Sequence, residues 1–370
     1  MKAEYKRLGD YIRLVDVRNR EQKVSRLVGL TIDKSFIPSV ANTIGTDISN
    51  YKIIRKKQFA CSLMQVSRDG KMPVAMFEEE EAIMSPAYPM FEVHSSDLMP
   101  DYLMLWFLRP EFDREASFYA VGGVRGSLEW NDFCDMMLPV PPIEEQRRIV
   151  EQYQTVERRI KNNERLIALL EDTAQTIFRH RFVDNIDPNN LPEGWRMGTL
   201  SDIASITMGQ SPDGESLNEE NEGYIFYQGR TDFGFRFPSV RTFTTEPKRF
   251  AKEGDILLSV RAPVGDINIS KYDCAIGRGI AGIRSKDGTP SYLFYQLKEL
   301  YDVMTLSNDE GTIFGSINKD TLFGLPIIIP KIENIKEFER QVSIIDSEIR
   351  ILSDEVNTIS EYLNISLGKL

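Results

Sequence analysis

The chain has 370 residues, 41% hydrophobic and 27% charged, which suits a globular protein of two or three domains. Its net charge of −11 by itself argues against a nucleic-acid partner. The three cysteines, Cys61, Cys134 and Cys274, form no CxxC pair; that argues against a zinc or disulfide framework and for free thiols in a reducing cytoplasm. No apolar stretch of signal-peptide length follows Met1, and runs such as 102–108 are too short for a bilayer, so no membrane is expected.

Charge is unevenly spread. Residues 1–70 hold 14 Lys/Arg against 7 Asp/Glu, and residues 224–286 hold 11 against 6. Two basic faces on an acidic chain fit DNA, and they also fit unevenly solvated surfaces.

In chain order, residues 1–141 read as a first globule, β-rich with helices near 100–109 and 112–120. An apolar run closed by proline, Met136 to Pro141, ends it. Pro141 and Pro142 then open a long helix over 142–182, with Glu144 and Glu145 suited to the positive end of its dipole. Its apolar seam is Ile149, Tyr153, Val156, Ile160, Asn163, Ile167 and Leu170, continued by Ala174 and Ile177 at alternating steps of four and three. Asn163 has two readings, a polar residue that sets register and a tolerated solvent-facing one.

After Leu191-Pro192-Glu193-Gly194-Trp195, residues 183–330 read as a second globule. It has strands at 224–228, 256–260 and 266–269, a turn at 262–265, and a helix at 290–302. Leu325 to Pro330 repeats the apolar run, and 331–370 reads as a second long helix. Its seam is Phe338, Val342, Ile345, Ile349, Leu352, Val356 and Ile359, continued by Leu363, each 189 residues after its counterpart. Shorter anchors repeat too: Leu8-Gly9-Asp10 with Leu200-Ser201-Asp202, Lys57 to Ala60 with Glu253 to Ile256, Tyr102-Leu103 with Tyr292-Leu293, and Gly126-Ser127-Leu128 with Gly315-Ser316-Ile317.

The fold class is therefore α+β: two globules separated by two long helices forming an antiparallel coiled coil, with an internal pseudo-twofold duplication. The seam from Ile149 to Ile177 spans roughly 43 Å, somewhat more than the about 34 Å of one B-DNA turn.

Catalytic chemistry finds little support. His94 reads as structural, His180 sits between Arg179 and Arg181, and no metal-ligand spacing occurs. Gly277-Arg278-Gly279-Ile280-Ala281-Gly282 fits GxGxxG, yet a strand and turn follow it where a phosphate-binding helix is needed. A bulge or a close backbone approach explains these glycines better.

DNA-reading equipment is better supplied. In the second globule Gln228, Arg230, Arg236, Arg241, Arg261 and Arg278 are set among Tyr227, Phe233 and Phe235. In the first, Arg18, Arg20, Asn42, Asn50, Lys56, Arg68 and Lys71 are the counterpart set, near Asn19, Lys23, Arg26 and Arg55. Arginine can fork onto guanine and Asn or Gln onto adenine, while lysine positions the phosphates. Structural salt bridges are the competing role for any one of them.

Several motifs resemble those of the DNA-specificity subunit of type I restriction-modification enzymes: Ile37 to Asn42, Thr46 to Tyr51, Ser85 to Tyr88, Pro141 to Gln146, Leu191 to Trp195, Glu253 to Gly265, and Ile276 to Gly279. The resemblance covers essentially the whole chain. It implies that 1–141 and 183–330 are target-recognition domains, and that 142–182 and 331–370 are spacer helices. It also implies a non-catalytic subunit reading a bipartite double-stranded DNA target, one half-site per domain, across an unread gap. Two adenine-methyltransferase subunits are implied as partners and bring S-adenosylmethionine, which this chain does not bind; two translocating restriction subunits often join them. Pro330 to Ile335 repeats the Pro141 to Gln146 pattern only weakly. The alternative is a coiled-coil assembly protein with non-specific DNA binding, which would show strong salt dependence and no preference among duplexes.

Overall fold

The protein, seen in a computed structural model, is described at residues 4–39, 47–64, 66–121, 127–261, 263–306 and 316–368. It divides into two compact units, Met1–Glu164 with Asp354–Leu370, and Arg165–Ser353. The division falls inside both long helices, because each half-helix packs on its own globule.

In the first unit β1 (Tyr5–Arg7) leads to β2 (Ile12–Leu14), β3 (Val28–Leu30), β4 (Phe36–Pro38), β5 (Lys52–Arg55) and β6 (Phe59–Cys61). The short α1 (Val66–Asp69), β7 (Val74–Met76), β8 (Glu81–Met84) and β9 (Met90–Val93) follow. Then come α2 (Pro100–Phe107), α3 (Pro110–Ala120), α4 (Trp130–Asp135), β10 (Met137–Pro139) and the 40-residue α5 (Ile143–Phe182). Four strands make an antiparallel sheet in the order β2-β9-β6-β7, while β3 pairs with β4, β5 with β8, and β1 with β10. Apolar side chains of that sheet meet α2 and α3 in a core rich in aromatics: Phe107 lies 5.8 Å from Phe59 and 4.9 Å from Phe112. α2 and α3 each open with proline at a first-turn position, where the missing N–H costs nothing.

The second unit contains β11 (Arg196–Thr199), α6 (Leu200–Ile203), β12 (Ala204–Met208), β13 (Leu217–Asn218), β14 (Tyr224–Tyr227), β15 (Thr242–Thr244) and β16 (Phe250–Ala251). It continues through β17 (Ile256–Ser259), β18 (Ile267–Ile269), β19 (Cys274–Ile276), β20 (Ile280–Ser285), α7 (Pro290–Leu306), α8 (Lys319–Phe323), β21 (Pro326–Ile329) and α9 (Ile332–Leu367). One antiparallel sheet has the order β12-β20-β17-β18, a second has β13-β15-β14-β19-β16, and β11 pairs with β21.

The duplication seen in sequence is thus a shared frame. β2-β9-β6-β7 and β12-β20-β17-β18 have the same order, and both globules close with a strand pair joining their beginning to their end. Three backbone bonds recur at equivalent places: Leu8 N to Met136 O and Leu200 N to Leu325 O, both 2.9 Å; Leu128 N to Leu63 O and Ile317 N to Val260 O, both 2.9 Å; His94 N to Tyr11 O at 3.0 Å and Lys286 N to Ile203 O at 2.9 Å. One anchor shifts by a residue. Phe59 faces Phe91 as Ile256 faces Ile283, so Lys57 corresponds to Gly254, and both have positive φ, 65° and 82°. Of the Gly126 and Gly315 anchors, the glycines themselves lie outside the described residues.

The seam residues of α5 and α9 are all buried or half-buried. In the first unit Val150 of α5 and Leu367 of α9 share the core, and Arg159 meets Glu355 at 2.9 Å. In the second, Phe338 of α9 packs on Phe178 and Phe182 of α5, 5.7 and 5.5 Å between ring centroids. Asn163 is buried, and the hydrogen bond from Arg159 contributes most to holding the Glu355 carboxyl below the ordinary glutamate range.

Each globule also grips its long helix, by different chemistry. Gln146 is fully buried: its Oε1 accepts from Met99 N at 2.8 Å, and its Nε2 donates to Asp97 O and Pro141 O at 2.7 and 2.8 Å. The equivalent position in α9 is Ile335, an apolar core residue. There Glu339 takes over, accepting from Ser291 N and Tyr292 N at 3.2 and 3.0 Å at the start of α7, although burial pushes its pKa up.

Candidate nucleic-acid interface

In the second unit four loops converge. Gly209 N bonds Ile280 O at 2.9 Å, Gln210 N bonds Ile276 O at 3.0 Å, Gly277 N bonds Tyr227 O at 2.8 Å, and Val260 N bonds Gly279 O at 2.9 Å. Arg278 N adds a bond to Ser211 Oγ at 3.3 Å. Glycine is required because the backbones touch: a Cβ on Gly209 would stand 2.2 Å from Gly277 O, and one on Gly279 would stand 2.8 Å from Gln228 O. The GxGxxG segment runs directly into β20, with no helix after it.

This convergence brings Gln228, Arg230, Arg261 and Arg278 together, all exposed. No ion pair with a carboxylate engages Arg261 or Arg278 among the described residues, so their guanidinium forks can reach a ligand. Arg230 pairs with Asp266 at 2.5 Å, and that hydrogen bond raises its pKa. Arg241 is tied to Asp232 at 3.0 Å. Asp232, which sequence reasoning missed, is buried and accepts from Gln228 N at 2.7 Å and Gly229 N at 3.2 Å, shaping the loop that presents Gln228. Its signal was the acidic residue three places after Gly229, a short-range capping pattern. Gln210 and Ser211 are further members of the cluster that composition did not single out.

Arg236 must be corrected. It was expected at the DNA, yet it is 1% exposed. It bridges Asp346 at 2.5 Å and Glu171 at 3.3 Å, and stands 4.3 Å above the Phe294 ring. The Tyr295 hydroxyl accepts from it at 3.1 Å and donates to Asp346 at 2.9 Å. Burial opposes its charge, but Asp346, Tyr295 and Glu171 outweigh that and raise its pKa. Arg236 therefore ties the β14–β15 insert to the long helices instead of presenting it to a duplex; an aromatic-flanked arginine has the same sequence pattern in either role.

The first unit gathers fewer of its expected residues. Arg18 donates to the Asn50 carbonyl at 2.8 Å and pairs with Asp16 at 2.5 Å, and exposed Arg20 lies two residues on. Asn42 lies outside the described residues. Lys56 is one of four cations met by the acidic turn after β7: Lys57 pairs with Glu78 at 3.0 Å, Arg26 with Glu79, Lys56 with Glu80 at 3.5 Å and Arg55 with Glu81 at 3.9 Å. Arg68 pairs with Asp69 at 2.7 Å and Lys71 with Asp33 at 3.3 Å. Much of the basic island is thus locally compensated, and Arg18, Arg20 and Asn50 form its most coherent patch.

All three cysteines are buried free thiols. Among the described residues no cluster of His, Cys, Asp and Glu could hold a metal, and no helix is long and apolar enough to cross a membrane.

Residues 192–361 match the family described as the type I restriction modification DNA specificity domain. Over 331 residues, 85% of this chain and 77% of the relative, the chain is 27% identical to the putative type I restriction enzyme MjaX specificity subunit of Methanocaldococcus jannaschii. The MjaVIII specificity subunit of that organism is 23% identical over 62% of this chain and 60% of its own length. Among solved structures, the S subunit of a type I restriction-modification system from M. genitalium has a TM-score of 0.61 at 12% identity, covering 100% of this chain and 96% of that one, a likeness of fold alone.

Proposed function

We infer that this chain, which belongs to the specificity-subunit family of type I restriction-modification enzymes, reads a bipartite DNA target with one half-site per globule. The observation that carries this reading is the repeated frame around unlike inserts, each insert bearing its own polar cluster. Residues 1–141 read one half-site and 183–330 the other. The spacer helices, 142–182 and 331–370, pair as an antiparallel coiled coil and set the unread gap.

In the second globule Arg261 and Arg278 are the residues best placed to fork onto guanine, Gln228 to meet adenine, and Arg230 to reach a phosphate once Asp266 releases it. The chain is a recognition subunit and makes or breaks no bond itself. Two methyltransferase subunits holding S-adenosylmethionine, and two restriction subunits, dock on it in the cytoplasm.

Co-expression with the neighbouring methyltransferase subunit, followed by single-molecule mapping of modified adenines, tests the reading. A single two-part motif with a fixed gap is the expected result, and matched deletion of one heptad from both helices should shorten that gap. An assembled complex that modifies nothing, or a gap indifferent to the deletions, would sink it.

A further inference from the structure

In the second unit the guanidinium of Arg236 occupies a receptor made of Phe294 and Tyr295 on α7, Asp346 on α9 and Glu171 on α5. The internal repeat gives three of these parts a like counterpart in the first unit. Tyr292 corresponds to Tyr102, so Phe294 and Tyr295 correspond to Met104 and Leu105; the 189-residue offset of the long helices makes Asp346 correspond to Glu157, while Glu171 corresponds to Ser360, outside the cavity, and Asp101 stands as the second carboxylate there. Met104, Leu105 and Glu157 all line one cavity of about 480 Å³, together with Asp101.

The first unit's insert does not fill that place. The β3–β4 turn does send a cation to the rim, but Lys34 donates to Asp113 at 2.9 Å and to the Phe107 carbonyl, and it lies over the Phe112 ring. Among the described residues Glu157 pairs only with its exposed helix neighbour Lys161, at 3.0 Å, and Asp101 accepts from Lys57 at 2.8 Å and from Gln154 at 3.3 Å. Both carboxylates keep acceptor capacity beyond those bonds.

We propose that this cavity is a receptor for an arginine side chain carried by a partner protein, the trans equivalent of what Arg236 does in cis. The aliphatic stem lies along Met104 and Leu105, and the guanidinium donates to Glu157 and Asp101. A guanidinium suits the place better than an ammonium because it is planar, weakly hydrated and able to donate to two carboxylates at once.

The test uses the full chain with ¹³C-methyl-labelled methionine and three probes: the capped peptide Ala-Ala-Arg-Ala-Ala, its citrulline counterpart and free arginine. The Met104 and Met76 methyls should shift saturably with the arginine peptide, while Met208 of the second unit stays still. The citrulline peptide, equal in shape but uncharged, should not bind. Glu157→Gln, at an accessible helix position, should weaken the arginine peptide about tenfold, as the loss of a charge-assisted hydrogen bond implies. Absent shifts, equal binding of the citrulline peptide, or unchanged affinity in Glu157→Gln would overturn the proposal. Tighter binding of free arginine than of the peptide would overturn the choice of a protein partner.

Discussion

The two units share a frame and differ in how the insert is held to it. In the first, the β3–β4 hairpin is tied by Lys34 to Asp113 of α3, and the acidic turn at Glu78 to Glu81 meets four cations of its own globule. In the second, Arg236 carries its insert across to Glu171 of α5 and Asp346 of α9. The helix grips are exchanged as well, Gln146 against Ile335 and Val150 against Glu339. A frame that fixes strand order, but leaves each insert to supply its own tie, lets the two halves diverge in the surface they present while they keep the same scaffold.

The comparison can be broken most forcefully at Arg236. Arg236→Met should destabilise the second unit by about 3–5 kcal/mol, since it leaves the half-buried Asp346 without its cation and buried Glu171 with Lys298 alone. Chemical denaturation would read this, and an effect near zero would mean the tie is incidental. The helix grips come next. Gln146→Leu strands Met99 N, Asp97 O and Pro141 O, and should cost about 1–3 kcal/mol, whereas Ile335→Leu, in the apolar version of the grip, should cost less than about 1.5 kcal/mol. Equal losses would show that the exchange of chemistry has no energetic meaning.

The binding clusters sharpen the contrast further. Arg261→Ala and Arg278→Ala should each cost about 1–3 kcal/mol at the half-site read by the second globule and leave the other unchanged. Methylation assays on targets altered in one half at a time would separate this from a folding defect, which would weaken both halves. The smallest effect concerns Glu355, whose folded pKa lies below the ordinary value. A depressed carboxylate stabilises the fold above its unfolded-state pKa, and that contribution fades as pH falls through the folded value. The stability advantage of wild type over Glu355→Gln should therefore be level at neutral pH and shrink in acid. An advantage that grows on acidification would contradict this.

Legibility in the sequence followed the range of the interactions. Pro141 and Pro142 announced the start of α5, and the four-three periodicity marked Ile149 to Ile177 as the face to be covered, because helix geometry is local and repeats every turn. The helices at 100, 110 and 290 were equally readable, whereas α4 and α8, five or six residues each, were too short to leave a periodic trace. At the candidate site, Arg261, Arg278 and Gln228 were legible as residue types. Gln210 was not, since its importance rests on a backbone bond to a distant loop, and Asp232 left only the short-range capping signal after Gly229. In sequence Lys57 aligns with Glu253, and only strand register makes it equivalent to Gly254 instead.

By itself the sequence determined the duplication, the two long helices with their seams and the α+β alternation, all properties of spacing along the chain. The tertiary structure alone decided which cations are available to a ligand. Arg236 and Arg278 are the same residue in similarly mixed surroundings, yet one lies between two carboxylates and a phenylalanine ring while the other is exposed at a meeting of four loops. Burial and pairing depend on partners 65 and 110 residues away for Arg236; a linear pattern holds no record of them, and desolvation makes their positions decisive.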